Sequence, residues 1–119
     1  MLPDVPFLCG FPRATTVTDR MPYREIGDYL KTHRGKVERV VRTLACFDGV
    51  HFAARATAPA LFSTALEDLT CPPSTVFAAF NAYAHAEKRI EVYDFNDHEG
   101  GEQHQQAVQL RWPPARLSG

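Results

Sequence analysis

Apolar positions change their period near the middle of the chain. From Pro22 to His33 the residues Tyr23, Ile26, Tyr29 and Leu30 recur at helical spacing, and Pro22 suits a first helical turn, so a short amphipathic helix is predicted there. After a turn at His33, Arg34 and Gly35, the residues Val37, Val40, Val41, Leu44 and Phe47 share one helical face, with Arg39 and Arg42 opposite. A second helix is predicted over them. Glu38 alternates with these arginines, which reads as the solvated side of a helix and not as an anion-binding patch. The stretch from Val5 to Ala14 is short, apolar and broken by Pro6 and Pro12, the pattern of a strand end running into a loop. Asp48 and Gly49 punctuate the chain before a further helical turn from Val50 to Arg55.

Beyond Pro59 the pattern is of another kind. Ala60 to Ala65 is an uninterrupted apolar, β-tolerant run ending in Leu66, Glu67 and Asp68, which predicts a buried strand that delivers polar residues at its C-terminal end. Pro72, Pro73, Ser74 and Thr75 supply helix-start chemistry, and Val76, Phe77, Phe80 and Tyr83 form the buried stripe of the helix that follows. Alternation resumes from Arg89 to Phe95, a second strand, closed by a loop from Asn96 to Gly101. Glu102 to Trp112 is rich in helix formers and stops at Pro113 and Pro114. The second half thus reads β-α-β-α after a helical first half. A right-handed crossover makes its two strands parallel neighbours covered by helices, an α/β fold class.

Composition narrows the partners. With 119 residues, 45% hydrophobic and 23% charged, the chain suits one domain spanning 1–119. A net charge of -1 gives no electrostatic reason to bind nucleic acid. No stretch approaches the roughly 20 apolar residues of a membrane span, and no leader-like segment follows Met1, so a cytoplasmic location is expected. Cys9, Cys46 and Cys71 are odd in number and widely spaced, which reads as reduced, packed thiols.

Parallel sheets keep their chemistry beyond the carboxyl ends of their strands, where loops converge on a rigid frame. Asp68 follows the first strand and His98 the second, one β-α-β step later, so neighbouring strand ends bring a carboxylate to an imidazole. In a serine hydrolase that pair orients the ring and stabilises the imidazolium formed when the ring takes the nucleophile's proton. The competing readings are a turn or cap role for Asp68 and a histidine satisfied within a glycine-rich turn for His98. His98, Glu99 and His104 lack the helical spacing of a metalloprotease motif, so no metal site is expected. Cys71, ahead of two prolines, reads as packing and not as a nucleophile, and Glu99 as a partner for neighbouring backbone. Gly100 and Gly101 are read as turn residues that do not cradle a phosphate.

The runs Asp48-Gly49-Val50-His51-Phe52-Ala53, Cys71-Pro72-Pro73-Ser74-Thr75-Val76-Phe77-Ala78-Ala79 and His98-Glu99-Gly100-Gly101 resemble the C-terminal third of the acetyl xylan esterases and cephalosporin C deacetylases of carbohydrate esterase family 7. Asp4 to Cys9, Tyr23 to Glu25 and Leu30 to Arg34 are also similar to that family. The resemblance implies the C-terminal part of an α/β-hydrolase fold, with Asp68 as triad acid and His98 as triad base. It implies hydrolysis of acetyl esters on small acetylated oligosaccharides and on cephalosporins, through an acyl-enzyme and without cofactor, by proteins that form larger homo-oligomers. His51 stands where the family usually has Asn, Gly10 and Pro12 also differ, and the segment from His85 to Lys88 is one residue longer.

The nucleophile has no counterpart. The serines are Ser63, Ser74 and Ser118, and none sits in a Gly-x-Ser-x-Gly elbow. The expectation is therefore an acid-and-base portion of an ester hydrolase, inactive by itself, with a non-catalytic interaction module as the alternative.

Overall fold

A computed structural model describes residues 1–112; the predicted stop at Pro113 and Pro114 lies outside the described residues. Chain order runs through α1 (Phe11–Val17), α2 (Tyr23–Thr32), a 3-10 turn (Arg34–Lys36), α3 (Val37–Ala45), α4 (Gly49–Ala53), β1 (Ala60–Ala65), α5 (Pro73–Ala82), β2 (Lys88–Tyr93) and α6 (Glu102–Arg111). The second half is β-α-β-α as the periodicity predicts. β1 and β2 pair in parallel, in a register that sets Ala60 against Lys88 and Ala65 against Tyr93.

Every residue of β1 is buried, as its unbroken apolar run requires. One face of the strand presents Phe62 to α5, where it meets Phe80 edge-on at 5.5 Å and Tyr83 at 5.3 Å. Cys9, Ala60 and Ala79 complete that core. α5 begins at Pro73, whose fixed φ suits a first turn, and no side-chain cap is made. Thr75, expected among the helix-start residues, instead donates its hydroxyl back to the Pro72 carbonyl at 2.7 Å. The far end of α5 is closed by Lys88, which donates to the carbonyls of Phe80 at 2.8 Å and Tyr83 at 2.9 Å. A cation there complements the negative end of the helix dipole.

The opening stretch departs from its predicted form. Met1 and Pro3 accept hydrogen bonds from Leu61 and Ser63 at 3.0 Å each, on the side of β1 away from β2, so the strand-like pairing lies earlier than expected. Residues predicted as loop then form α1, because Pro12 sits in a first helical turn, where its missing N–H costs nothing. Entry to α1 needs Gly10 at φ 62°, a left-handed conformation. The buried Asp48 carboxylate fixes that entry: it accepts from the backbone N–H groups of Gly10 at 2.8 Å, Phe11 at 2.9 Å and Val50 at 3.0 Å. Two helix N-termini, α1 and α4, are thus tied by one side chain. Phe11, Ala14 and Tyr23 form a second small core beside it.

Asp48→Asn turns one acceptor oxygen into a donor that faces a backbone N–H. It should cost about 2–4 kcal/mol in urea unfolding, the range for buried hydrogen bonds to a charged group together with a lost cap. Gly101→Ala should be similarly disruptive, because a Cβ there would fall 2.1 Å from Cζ of Tyr93 and displace the ring that donates to Gln105 at 2.7 Å. A loss of about 1–3 kcal/mol is expected, the usual cost of overpacking. Burial pushes the Cys9 thiol up to about 11 and the Cys71 thiol up to about 12, while Cys46 is exposed. Both buried thiols are therefore protonated at pH 8, and Ellman's reagent should titrate Cys46 alone in the native chain and all three thiols after denaturation.

Candidate active site

Chain pairing continues one step past the strands and then stops. Leu66 donates to the Tyr93 carbonyl at 2.9 Å and Glu67 to the Asn96 carbonyl at 3.1 Å, which keeps both loops together beyond the carboxyl ends of β1 and β2. The chain after β1 then turns, with Asp68 N–H on the Ala65 carbonyl at 3.4 Å, and the Asp68 side chain folds inward to 1% exposure. On the neighbouring loop, His98 donates its backbone N–H to Asp97 at 2.7 Å, and Gly100, at φ 60°, lets the loop reverse with its N–H on the Asp97 carbonyl at 3.0 Å. Gly101 provides the space that the Tyr93 ring needs. The two glycines serve the turn, as the sequence suggested.

Asp68 and His98 meet. Oδ2 of Asp68 lies 3.0 Å from Nδ1 of His98. The other oxygen, Oδ1, accepts from the backbone N–H groups of Thr70 and Cys71 at 2.7 Å each. Those two donors compensate the burial of the carboxylate and leave it one direction in which to bond, toward the ring. With Asp68 as acceptor, the proton sits on Nδ1, and the lone pair of Nε2 remains free on a side chain that is 51% exposed. A buried, immobilised acceptor behind a half-exposed base is the arrangement that removes a proton from a hydroxyl brought to the outer nitrogen.

The remaining candidates among the described residues fall where the pattern placed them. Hydrogen bonds from its own backbone and from Asn96 hold the Glu99 carboxyl below the usual range, so it stays an ionised acceptor within its loop. His104 lies on α6, with its ring edge-on to Tyr93 at 6.1 Å. Ser63 is buried within β1, where it bonds the Asp4 carboxylate and accepts from Val5 N–H at 3.1 Å. Ser74 is exposed on α5 and accepts from Arg13 at 3.3 Å. Ser118 lies outside the described residues. Cys71 is buried in the core, as its packing reading requires, and its sulfur also belongs, with Asp68 and His98, to a group whose donor atoms all lie within 4.8 Å of one another. Spacing gave no hint of it, and the backbone donors on Thr70 and Cys71 are equally silent in a side-chain pattern.

Solved structures share this arrangement of elements. An acetyl xylan esterase from Paenibacillus sp. R4 is 39% identical, with a TM-score of 0.82 over 92% of this chain and 35% of that one. Acetyl xylan esterase 1 from Thermoanaerobacterium sp. JW/SL YS485 is 30% identical, with a TM-score of 0.78 over the same shares. The chain therefore spans about a third of the length of these relatives, and its fold is a partial α/β-hydrolase fold. The sequence model of the acetyl xylan esterase (AXE1) family matches residues 1–115, and with this site and these neighbours the chain belongs to that family.

Proposed function

We propose that this chain holds the acid and the base of a serine ester hydrolase that removes acetyl groups from acetylated oligosaccharides, with cephalosporin-type acetyl esters as related substrates. The 3.0 Å contact between Asp68 and His98, backed by two amide donors on the far carboxylate oxygen, carries this reading. Membership of the acetyl xylan esterase family supports that substrate class.

In this reading the nucleophile is a serine supplied from outside these 119 residues, because no Gly-x-Ser-x-Gly elbow occurs among them. His98 Nε2 takes the serine proton as the hydroxyl attacks the acetyl carbonyl, and the same nitrogen returns it to the departing sugar oxygen. Water then attacks the acyl-enzyme with His98 again as base. Asp68 stays ionised throughout, holding the ring and stabilising the imidazolium. None of these steps calls on a metal or an organic cofactor. The loops that carry the pair also expose Leu66, Leu69 and Phe95, apolar side chains suited to contact with a covering segment.

The chain alone should give no measurable turnover of an acetylated xylo-oligosaccharide. Co-expressed with the nucleophile-bearing remainder of the Paenibacillus sp. R4 enzyme, it should restore hydrolysis. In that assembly His98→Ala should lower kcat roughly a million-fold and Asp68→Asn roughly ten-thousand-fold, as in comparable triads. Restored turnover indifferent to His98→Ala would overturn the proposed role of the base. Turnover by the chain alone, abolished by His98→Ala, would overturn the need for an external serine.

A further inference from the structure

Cys71 takes no part in the hydrolysis just described, yet its sulfur occupies the same corner as the pair. One donor atom from each of Asp68, Cys71 and His98 lies within 4.8 Å of the other two. Asp68 and Cys71 are buried and share a tight turn whose amides grip Oδ1, so their positions are fixed. His98 is exposed and sits on the neighbouring loop, with its ring bonded to Asp68 at 3.0 Å.

Carboxylate oxygen, thiolate sulfur and imidazole nitrogen are the ligands preferred by zinc-type cations. Four-coordinate bonds of about 2.0–2.3 Å set neighbouring ligand atoms roughly 3.5 Å apart. The three donor atoms already lie within 4.8 Å of one another, so local adjustment of the side chains would bring them to that spacing. One carboxylate among the three donors gives no basis for Mg2+ or Ca2+, which take mostly oxygen. Charge also favours the fit: a carboxylate and a thiolate together neutralise a divalent ion, so no net charge is added to a desolvated corner beyond what the ligands balance.

We propose that Asp68, Cys71 and His98 form a binding site for a thiophilic divalent cation of the zinc type, held by Asp68 Oδ2, Cys71 Sγ and His98 Nδ1 in place of the carboxylate–imidazole hydrogen bond. On binding, the Cys71 thiol releases its proton to solvent, and the ring proton passes from Nδ1 to Nε2. Oδ1 keeps its two amide donors. A ring protonated on Nε2 cannot accept the proton of a hydroxyl, so the bound cation silences the base. That consequence rests on the hydrolytic reading, whereas binding itself does not.

Cobalt(II) titration of the full chain carrying Cys46→Ser, which removes the exposed thiol, tests the site without any catalytic assay. One equivalent should produce a thiolate-to-cobalt charge-transfer band in the near ultraviolet with visible absorption typical of tetrahedral cobalt, and Zn2+ should displace it. Cys71→Ser should abolish the band. His98→Gln, at an exposed side chain that the core does not need, should weaken binding at least about 10- to 100-fold, the loss seen even for outer-sphere partners of a metal. No band at stoichiometric cobalt, a band that survives Cys71→Ser, or affinity unchanged in His98→Gln would each overturn the assignment.

Discussion

Six residues of β1 lie in parallel register against six of β2, and the point where that pairing ends decides where the chemistry sits. Side chains alternate across a strand, so a slip of one residue would turn Phe62 away from α5 and its neighbours into the core. The core contacts of Phe62 with Phe80 and Tyr83 therefore pin the register. Once Ala65 faces Tyr93, Leu66 bonds the last residue of β2 and Glu67 bonds Asn96, in the loop that carries His98. The carboxylate and the ring are brought together by backbone bonding some distance before either side chain acts.

Two buried carboxylates show why burial alone does not make a site. Asp48 and Asp68 are 4% and 1% exposed, and both are compensated by backbone N–H donors. Asp48 spends both oxygens on three amides of Gly10, Phe11 and Val50, which ties α1 to α4 and leaves nothing to offer a partner. Asp68 spends one oxygen on two amides and keeps the other for an imidazole. The first is a joint, and the second is a joint with an open valence aimed at a solvent-accessible base. The difference lies in the count of donors that each turn presents, not in the residue.

That count explains what could be read in advance. The elements were legible because their apolar periods are unambiguous: an unbroken run for β1, a helical stripe for α2 and α3, alternation for β2. Asp68 and His98 were legible because topology places successive strand ends side by side, and because the motifs around them resemble one family. The opening stretch was misread since Pro12 fits a helix start as well as a loop, and because Met1 and Pro3 pair with β1 through backbone groups that leave no side-chain pattern. The amides of Thr70 and Cys71 were invisible for the same reason.

Cys71 shows how one corner holds a thiol and an anion without conflict. Its pKa is raised to about 12, first by burial and then by the charge of Asp68, so the thiol stays protonated at neutral pH. The amides of Thr70 and Cys71 answer one oxygen of Asp68 and His98 the other, which keeps the ring oriented by the carboxylate. The same protonation removes Cys71 as a competing nucleophile despite its closeness. Only a species bringing two positive charges could make the thiolate and the carboxylate tolerable together, and it would have to displace the ring from Asp68 to do so. The proposed proton relay needs a proton between Oδ2 and Nδ1 and the proposed cation site a metal ion in its place, so the two proposed uses exclude one another.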